Sequence, residues 1–272
     1  MNRTDKRNIP SRKGKNTTAS TGQGNRKVAP SLPGGDYWIF GNHAVICALQ
    51  NSKRTIKRIL LTKNSATRLS PALFKGQVDP QIVDRSEIDG LVGEDSVHQG
   101  MAVLTTLLPH AAIEDIAKNA SDQSRVLILD QVTDPHNVGA ILRSAAIFGA
   151  EAVILQDRNA PPETGVLAKS ASGALEEVPL VRVSNLSRAI DYLKQMGFWS
   201  VGFASDAPGT LGKTKLDGKL ALVMGAEGDG MRRLTRDNCD ILLSIPMAEN
   251  NVGSLNVSNA AAIALYATYK PD

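Results

Sequence analysis

The chain has 272 residues, of which 42% are hydrophobic, 21% charged and 4% aromatic, and its formal net charge is +4. This apolar content suffices for one large or two modest globular domains, and no run approaches the about 18 apolar residues of a membrane-spanning helix. Two distant cysteines, Cys47 and Cys239, are too few for a disulfide framework or a zinc site, so we expect a metal-free protein of a reducing, cytoplasmic compartment.

Residues 1–35 form a basic tail. They hold eight of the 31 Lys and Arg residues but only one of the 27 acidic residues, so the net positive charge comes from this segment. Because large apolar side chains are almost absent, burial cannot offset the entropy cost of ordering, and we expect disorder. The tail is predicted to contact RNA through counterion release. A solubilising extension is the alternative, and a transit peptide fits less well because apolar periodicity is missing.

Residues 36–107 are predicted to form a small α/β domain. Strands and helices alternate there at a spacing of about 15 residues, which is typical of α/β units. The predicted strands cover residues 37–40, 56–61, 81–84 and 101–106, and the predicted helices cover 42–51, 65–75 and 86–91. The polar segment 108–124 is predicted to be a linker that contains one helix.

Residues 125–272 are predicted to form a larger α/β domain. Continuous apolar runs, of the kind found in buried parallel strands, indicate an open and mainly parallel sheet with helices on both faces. The predicted strands cover 125–130, 152–155, 178–183, 199–204, 220–224 and 241–245. The predicted helices cover 138–148, 163–172, 186–196, 229–236 and 254–269.

Three loops that follow predicted strands are rich in small and polar residues, at 134–143, 225–230 and 246–258. Ligands of open parallel sheets bind beyond the carboxyl ends of the strands, so we expect these loops to converge on one site. The dinucleotide fingerprint, the Walker A lysine, the Gly-x-Ser-x-Gly elbow and a metal-binding histidine pair are all missing from the sequence. His98 and His136 are not assigned to the site.

The three loops resemble, in order, the three motifs of the SpoU/TrmH family of S-adenosylmethionine-dependent RNA ribose 2′-O-methyltransferases. The matching stretches are NVGAILRS at 137–144, VMGAEG at 223–228, and IPM at 245–247 followed by SLNVS at 254–258. Residues 38–103, from WIFG to HQGMAV, are similar to the substrate-binding domain of the 23S rRNA guanosine-2′-O-methyltransferase subgroup. The polar stretch 249–253 departs from the family pattern and affects how the loop before Ser254 wraps the cofactor.

The resemblance implies features that composition does not. These are a deep trefoil knot in the C-terminal domain and a homodimer whose active site uses residues of both subunits. Knotted connections are nearly absent from proteins, so chain physics alone does not predict one. The apolar faces of the first and last helices of the larger domain are the expected contact surface.

The resemblance also implies a role for each of eight residues. The residues expected to contact S-adenosylmethionine are Gly225, Ile245 and Leu255, and those expected to serve catalysis are Arg143, Asn137, Glu227, Ser254 and Asn256. At Gly225 the missing Cβ lets the backbone approach a ligand, although a strand-end turn needs glycine as well. Asn137 and Ser254 lie near predicted helix starts, so each is alternatively a helix cap.

Arg143 lies among apolar neighbours of a predicted buried helix and is therefore expected to have a partner. The family suggests that this arginine holds a phosphate of the target nucleotide or acts as the base. The guanidinium pKa of about 12.5 or more makes deprotonation costly at pH 7, which favours the phosphate. Glu227 is expected to orient Asn137 or Arg143, and Asn256 to orient the ribose or Arg143.

The sequence thus predicts ribose 2′-O-methylation, of a guanosine in large-subunit ribosomal RNA, with S-adenosylmethionine as cofactor. A transfer-RNA ribose methyltransferase is an alternative, although a folded domain in front of the catalytic domain is less usual in such enzymes. A non-catalytic RNA-binding or ribosome-assembly factor is a further alternative. It would be expected to lack Arg143, Asn137 or the Ser254/Asn256 pair, all of which are present.

Overall fold

The computed structural model of the chain describes residues 35–248 and 254–271. The expected disorder of the basic tail, up to residue 34, and the departure from the family pattern at 249–253 lie outside the described residues. The part that is described contains two separate β-sheets, one of four strands and one of seven.

The four-stranded sheet is built from β1 (Tyr37–Phe40), β2 (Ile56–Leu61), β3 (Gln81–Ile82) and β4 (Met101–Thr105), with helices α1 (Asn42–Gln50), α2 (Lys63–Ala66) and α3 (Arg85–Val92). In the spatial order β1-β4-β2-β3, β4 is antiparallel to both of its neighbours and β3 is parallel to β2. The predicted helix over 65–75 is wrong. Helix α2 ends at Ala66, and Pro71, which has no amide donor, begins a separate 3₁₀ turn.

The seven-stranded sheet contains β5 (Arg125–Leu129), β6 (Ala152–Gln156), β7 (Leu180–Val183), β8 (Trp199–Phe203), β9 (Gly209–Thr210), β10 (Leu220–Met224) and β11 (Ile241–Ser244). Its order is β7-β6-β5-β10-β8-β11-β9, and every described pairing is parallel. A mainly parallel sheet is therefore confirmed. The two-residue edge strand β9 was not predicted because it is too short to show an apolar pattern.

Helices cover both faces of this sheet. They are α4 (Ile113–Asn119), α5 (Pro135–Ile147), α6 (Gly165–Ala171), α7 (Leu186–Gln195), α8 (Arg233–Asp237) and α9 (Val257–Thr268). The predicted helix 229–236 is wrong at its start. Residues Ala226 and Gly230 exchange backbone hydrogen bonds of 3.0 Å, and this tight turn delays the helix until Arg233.

Two hydrophobic clusters follow from the alternation of side chains along β5. Val126 and Ile128 face the cluster under α4 and α7, whereas Leu127 and Leu129 face the cluster under α5, α6 and α9. The second cluster continues without a break into one face of the four-stranded sheet, where Ile39 belongs to it. The two sheets therefore share one core. Each fully buried aliphatic side chain in it stabilises the fold by about 1.5–3 kcal/mol.

A buried ion pair also joins the two sheets. Arg54, beside the first sheet, places Nη2 2.9 Å from Oε1 of Glu176, which lies in a 3₁₀ turn after α6. The Nη1 of Arg54 donates to the carbonyl of Thr106, and Asn51 donates to the same carboxylate at 2.7 Å. Because an unpaired buried charge is costly, this network favours one arrangement of the two sheets.

Candidate functional site

Three loops meet at the carboxyl edge of the seven-stranded sheet. Met224, the last residue of β10, lies opposite Leu129, the last residue of β5. Strand β8 pairs with β10 on one side and with β11 on the other. Parallel strands end at the same edge, so the loops after β5, β10 and β11 open side by side. The expected convergence of the three motifs is therefore confirmed by the topology.

Asn256 connects the three loops. Its Nδ2 donates to Oδ1 of Asn137 at 3.1 Å and to Oε2 of Glu227 at 3.2 Å. Its Oδ1 accepts from the backbone amide of Ser258 at 2.9 Å and caps α9. The alternative in which Ser254 caps the last helix is wrong, because α9 begins at Val257. The sequence did not predict that Asn256 bridges the three loops.

Asn137 is free to join this bridge because another residue caps its helix. Asp134 accepts from the amide of His136 at 3.0 Å, and Pro135 begins α5. The alternative in which Asn137 is a helix cap is therefore wrong. The exposed ring of His136 forms a hydrogen bond of 3.1 Å with the hydroxyl of Ser170 in α6, so this side chain is directed toward α6.

A cleft of about 730 Å³ lies at the ends of β8 and β10. Five of the eight predicted site residues line this cleft, namely Gly225, Glu227, Ile245, Ser254 and Leu255. Phe203, Met247 and Ala260 line it too and give it an apolar wall. Met247 lies in the third motif but was not among the predicted site residues, and of the other two only Phe203, at the end of a predicted strand, could have been expected here.

The turn after β10 depends on glycine. A Cβ on Gly225 would lie 2.2 Å from the carbonyl carbon of Gly230 and 2.2 Å from the amide nitrogen of Met231. Gly228 and Gly230 have φ angles of 91° and 68°, in the left-handed region that favours glycine. A Cβ at position 225 would therefore overlap the backbone of this same turn, so the strand-end turn itself requires glycine there.

Arg143 is separate from this group within one chain. It is exposed on α5, does not line the cleft, and makes no hydrogen bond or ion pair within residues 35–248 and 254–271. Six residues along a helix correspond to a rotation of about 240°, so Arg143 and Asn137 leave α5 on different faces. The expected partner of Arg143 is not found among the described residues of this chain, because position 143 lies on the solvent side of the helix.

An exposed apolar patch lies at the same end of α5. We call Ile147, Phe148, Tyr266 and Tyr269 the helix-end patch. The ring of Phe148 lies 6.0 Å from the rings of both tyrosines, and Ile147 and Tyr266 are 63% and 71% exposed. Contiguous apolar surface of this kind marks an interaction site.

Two further properties bear on the class of protein. In the described part of the chain, no helix combines the length and apolar character needed to cross a membrane. Within the same residues, no three His, Cys, Asp or Glu side chains are grouped so that they could hold a metal ion.

The fold and the cleft define an α/β protein whose ligand site lies at the carboxyl edge of a parallel sheet. The SpoU rRNA Methylase family model matches residues 124–266, and a model for RNA 2′-O ribose methyltransferase substrate binding matches residues 38–111. The chain belongs to the SpoU rRNA methylase family.

Curated relatives share about two-fifths of the sequence. The 23S rRNA (guanosine-2′-O-)-methyltransferase RlmB of Escherichia coli K12 is 42% identical over 238 residues, which cover 84% of this chain and 96% of that protein. The enzyme of the same name from Vibrio vulnificus is 43% identical, with 84% and 94% covered. That from Nitrosomonas europaea is 40% identical, with 86% and 91% covered.

Solved structures show the same fold. The SpoU methyltransferase AviRb from Streptomyces viridochromogenes, in complex with the cofactor AdoMet, superposes with a TM-score of 0.73 at 22% identity, covering 86% of this chain and 89% of that one. An AdoMet-bound rRNA methyltransferase from Sinorhizobium meliloti gives 0.73 at 21% identity, with 86% and 87% covered. At sequence identities of 22% and 21%, the similarity to these two structures shows a shared fold and nothing more.

Proposed function

We propose that the protein transfers a methyl group from S-adenosylmethionine to the ribose 2′-hydroxyl of a guanosine in 23S ribosomal RNA. The observation that carries this proposal is the bridge from Asn256 to Asn137 and Glu227, which unites all three family motifs beside one cleft. The names of the relatives from three bacteria support the same reaction and substrate.

The lining of the cleft fits S-adenosylmethionine. Gly225, Ile245 and Leu255 would hold the cofactor through main-chain groups, and all three line the cleft. Phe203 and Met247 offer apolar surface for an adenine ring. When bound, the cofactor supplies an electrophilic sulfonium methyl group, so the proposed reaction calls for no metal.

The residues around the cleft position the RNA. Asn256 fixes the side chains of Asn137 and Glu227, so that amide and carboxylate groups point at the place where the ribose enters. Ser254 adds a hydroxyl on the same wall. Arg143 holds a phosphate of the target nucleotide. Positioning of this kind can supply about 7–11 kcal/mol of a barrier in favourable cases.

We propose that the protein acts as a homodimer whose sites are each built from both subunits. Arg143 leaves α5 away from Asn137, so it would serve the partner's cleft. The helix-end patch on α5 and α9 supplies the contact surface, because exposed apolar area of this kind is stable when covered. Helix α9 packs against α5 and β10, an arrangement compatible with the trefoil knot that the family implies.

The remaining segments are assigned in the same proposal. Residues 36–107 bind the RNA substrate, 108–124 link the two parts, and 125–272 form the catalytic domain. The basic tail adds counterion-dependent affinity for RNA. The free cysteines fit a cytoplasmic enzyme, since Cys47 and Cys239 form no disulfide.

The proposal is tested by incubating the full chain with labelled S-adenosylmethionine and either undermethylated 23S rRNA or transfer RNA. We expect one 2′-O-methylated guanosine in the ribosomal RNA, located by mass mapping. Methylation of transfer RNA alone would favour the alternative substrate. Labelling of neither RNA, with active control enzymes, would remove the enzymatic proposal altogether.

A further inference from the structure

A second, smaller cavity, which is open to solvent, lies at the carboxyl ends of β5 and β6. Leu129 and Leu155 contribute to its apolar floor, and Gln131, Arg158 and Arg232 contribute to its polar rim. None of its lining residues lines the cleft proposed for the cofactor. The motifs discussed above therefore do not account for this cavity.

The cavity nevertheless adjoins the cleft. The amide of Asp130, the residue after β5, donates to the carbonyl of Met224 at 2.8 Å, and Met224 lines the cleft. In the turn before α8, Gly230 lines the cleft and Arg232, two residues later, lines the cavity. The two places are therefore next to each other along the same edge of the sheet.

Arg232 is fixed in position on the rim. Its backbone amide and its Nε donate to the carboxylate of Asp130 at 2.9 and 2.8 Å, and Nη2 lies 2.8 Å from the same group. Asp130 is fully buried, so its charge is neutralised by this one arginine. Nη1 of Arg232 has no partner among the described residues and is available to a ligand.

Arg158 lies on the opposite part of the rim. It is exposed and makes no hydrogen bond or ion pair with the described part of the chain, while the carboxylate of its neighbour Asp157 faces Arg182 at 3.7 Å. The rim residues Gln131 and Asn159 have φ angles of 61° and 71°. Such left-handed backbone is uncommon outside glycine and often marks a functional surface.

We propose that this cavity binds a backbone phosphate of the RNA, next to the target nucleotide, between Arg158 and Arg232. Planar guanidinium groups match phosphate oxygens in a bidentate way. The lining contains no carboxylate, and the amide of Gln131 adds a neutral donor. The inference rests on the proposed function for its ligand, since RNA presents phosphates on both sides of the methylated ribose.

The test compares RNA binding by Arg158→Ala with that of the wild-type chain and of Lys118→Ala. Lys118 is the control because it is exposed on α4, which precedes β5 and so lies at the opposite edge of the sheet. Its replacement by alanine removes the same single positive charge. Binding to a 23S rRNA fragment is measured over a salt series without cofactor. We expect Arg158→Ala to bind about tenfold more weakly and to lower the slope of log K against log salt by about 0.7.

Arg232→Lys is the second variant, because it keeps a charge for Asp130 while removing the planar fork. We expect a smaller loss of affinity and an unchanged salt slope, with thermal unfolding checked for each variant. Equal affinity and slope for Arg158→Ala and Lys118→Ala would overturn the inference. Inorganic phosphate that competes as well as RNA would point to a free-phosphate site and would overturn it too.

The same measurements separate this inference from the proposed function. A chain that binds RNA through Arg158 without methylating it would support the phosphate site and refute the enzymatic proposal. If the wild-type chain methylates 23S rRNA and Arg158→Ala loses neither affinity nor salt slope, the enzymatic proposal is supported and the phosphate site is refuted. A wild-type chain that binds no RNA would refute both.

Discussion

At the scale of single residues, Asn256 has two tasks that different atoms perform. Its Oδ1 caps the last helix, and its Nδ2 holds Asn137 and Glu227. A serine at an N-cap stabilises a helix about as well as asparagine, but it has no amide that could reach the other two side chains. The two tasks can therefore be separated by substitution.

Asn256→Ser is expected to leave the free energy of unfolding within about 0.5 kcal/mol of the wild-type value, because serine is a good cap. Methyl transfer is expected to fall about 100-fold, since small displacements of positioning groups carry costs of this size. Chemical denaturation and single-turnover kinetics measure the two effects. Asn256→Ala is the comparison and should lose about 1 kcal/mol of stability as well. Parallel losses of stability and activity in both variants would contradict this separation.

Gly225→Ala is expected to weaken S-adenosylmethionine binding about tenfold or more. The added Cβ meets backbone atoms at 2.2 Å, so the turn must shift, and overpacking of this kind costs about 1–3 kcal/mol. Calorimetric titration measures the affinity. Gly90→Ala is the matched control, because Gly90 is exposed in α3 and a methyl group added there would have no neighbouring atom within 4 Å. Cofactor affinity unchanged at position 225 would argue against a backbone contact there.

The family resemblance made part of the site predictable. Gly225, Ile245 and Leu255 were expected together on the basis of the motifs, and all three line one cleft. The partners of Asn256 could not be predicted, because they depend on how loops that are separated by 119 residues for Asn137 and by 29 for Glu227 approach one another in space. The surroundings of Arg143 were misjudged, since apolar neighbours along a helix do not reveal which face meets solvent.

At the scale of elements, the junction between the two sheets contains a buried group of ionisable side chains. Oε2 of Glu163 is enclosed and has no hydrogen-bond partner among the described residues, although the side chain as a whole is half-buried. Burial raises the pKa of Glu163 above its ordinary value, while Arg54 opposes the shift. The folded chain therefore binds a proton here more readily than the unfolded chain does.

This raised pKa makes stability depend on pH in a defined direction. The contribution of Glu163 is fully present below its ordinary pKa of about 4.3 and is lost as the pH rises through the raised value. Glu163→Gln should therefore raise the free energy of unfolding at neutral pH and have little effect in acid. Denaturation at several pH values tests this, with the exposed Glu177→Gln as control. A constant effect of Glu163→Gln across pH would contradict it.

Elements with strong apolar patterns were predictable, and short ones were not. The inner strands β5, β8 and β10 are buried runs that the sequence displays directly. Strand β9 has two residues, and α8 starts late because the glycine turn before it is closed by backbone hydrogen bonds. These details depend on backbone conformation, which side-chain periodicity does not encode.

At the scale of the whole molecule, the proposed sharing of sites between subunits can be tested by complementation. Arg143→Ala and Glu227→Ala are both exposed substitutions, so each variant should fold with a change in stability within about 0.5 kcal/mol. Each alone should be nearly inactive. When the two are co-expressed, each mixed dimer has one intact site out of two, so purified mixed dimers should recover about half of the wild-type activity.

The recovered activity is measured on mixed dimers purified through two different affinity tags. If Arg143 served its own chain, neither site of a mixed dimer would be intact and no activity would return. Neither the proposed dimer nor the expected knot follows from chain physics, because both concern how distant segments pass or meet rather than which residues are apolar. Only the family resemblance pointed to them.

The order of synthesis has a consequence for the chain as it leaves the ribosome. The amide that unites the motifs belongs to Asn256, at the start of the last helix, and Thr268 at the other end of that helix accepts a hydrogen bond from Arg125 in the first strand of the larger sheet. A nascent chain that has already completed all seven strands still lacks this helix. The bridge between the motifs therefore forms only once this helix has been made, and a chain cut short before Val257 would also lose the buried core side chains of Val257, Ala261 and Leu265.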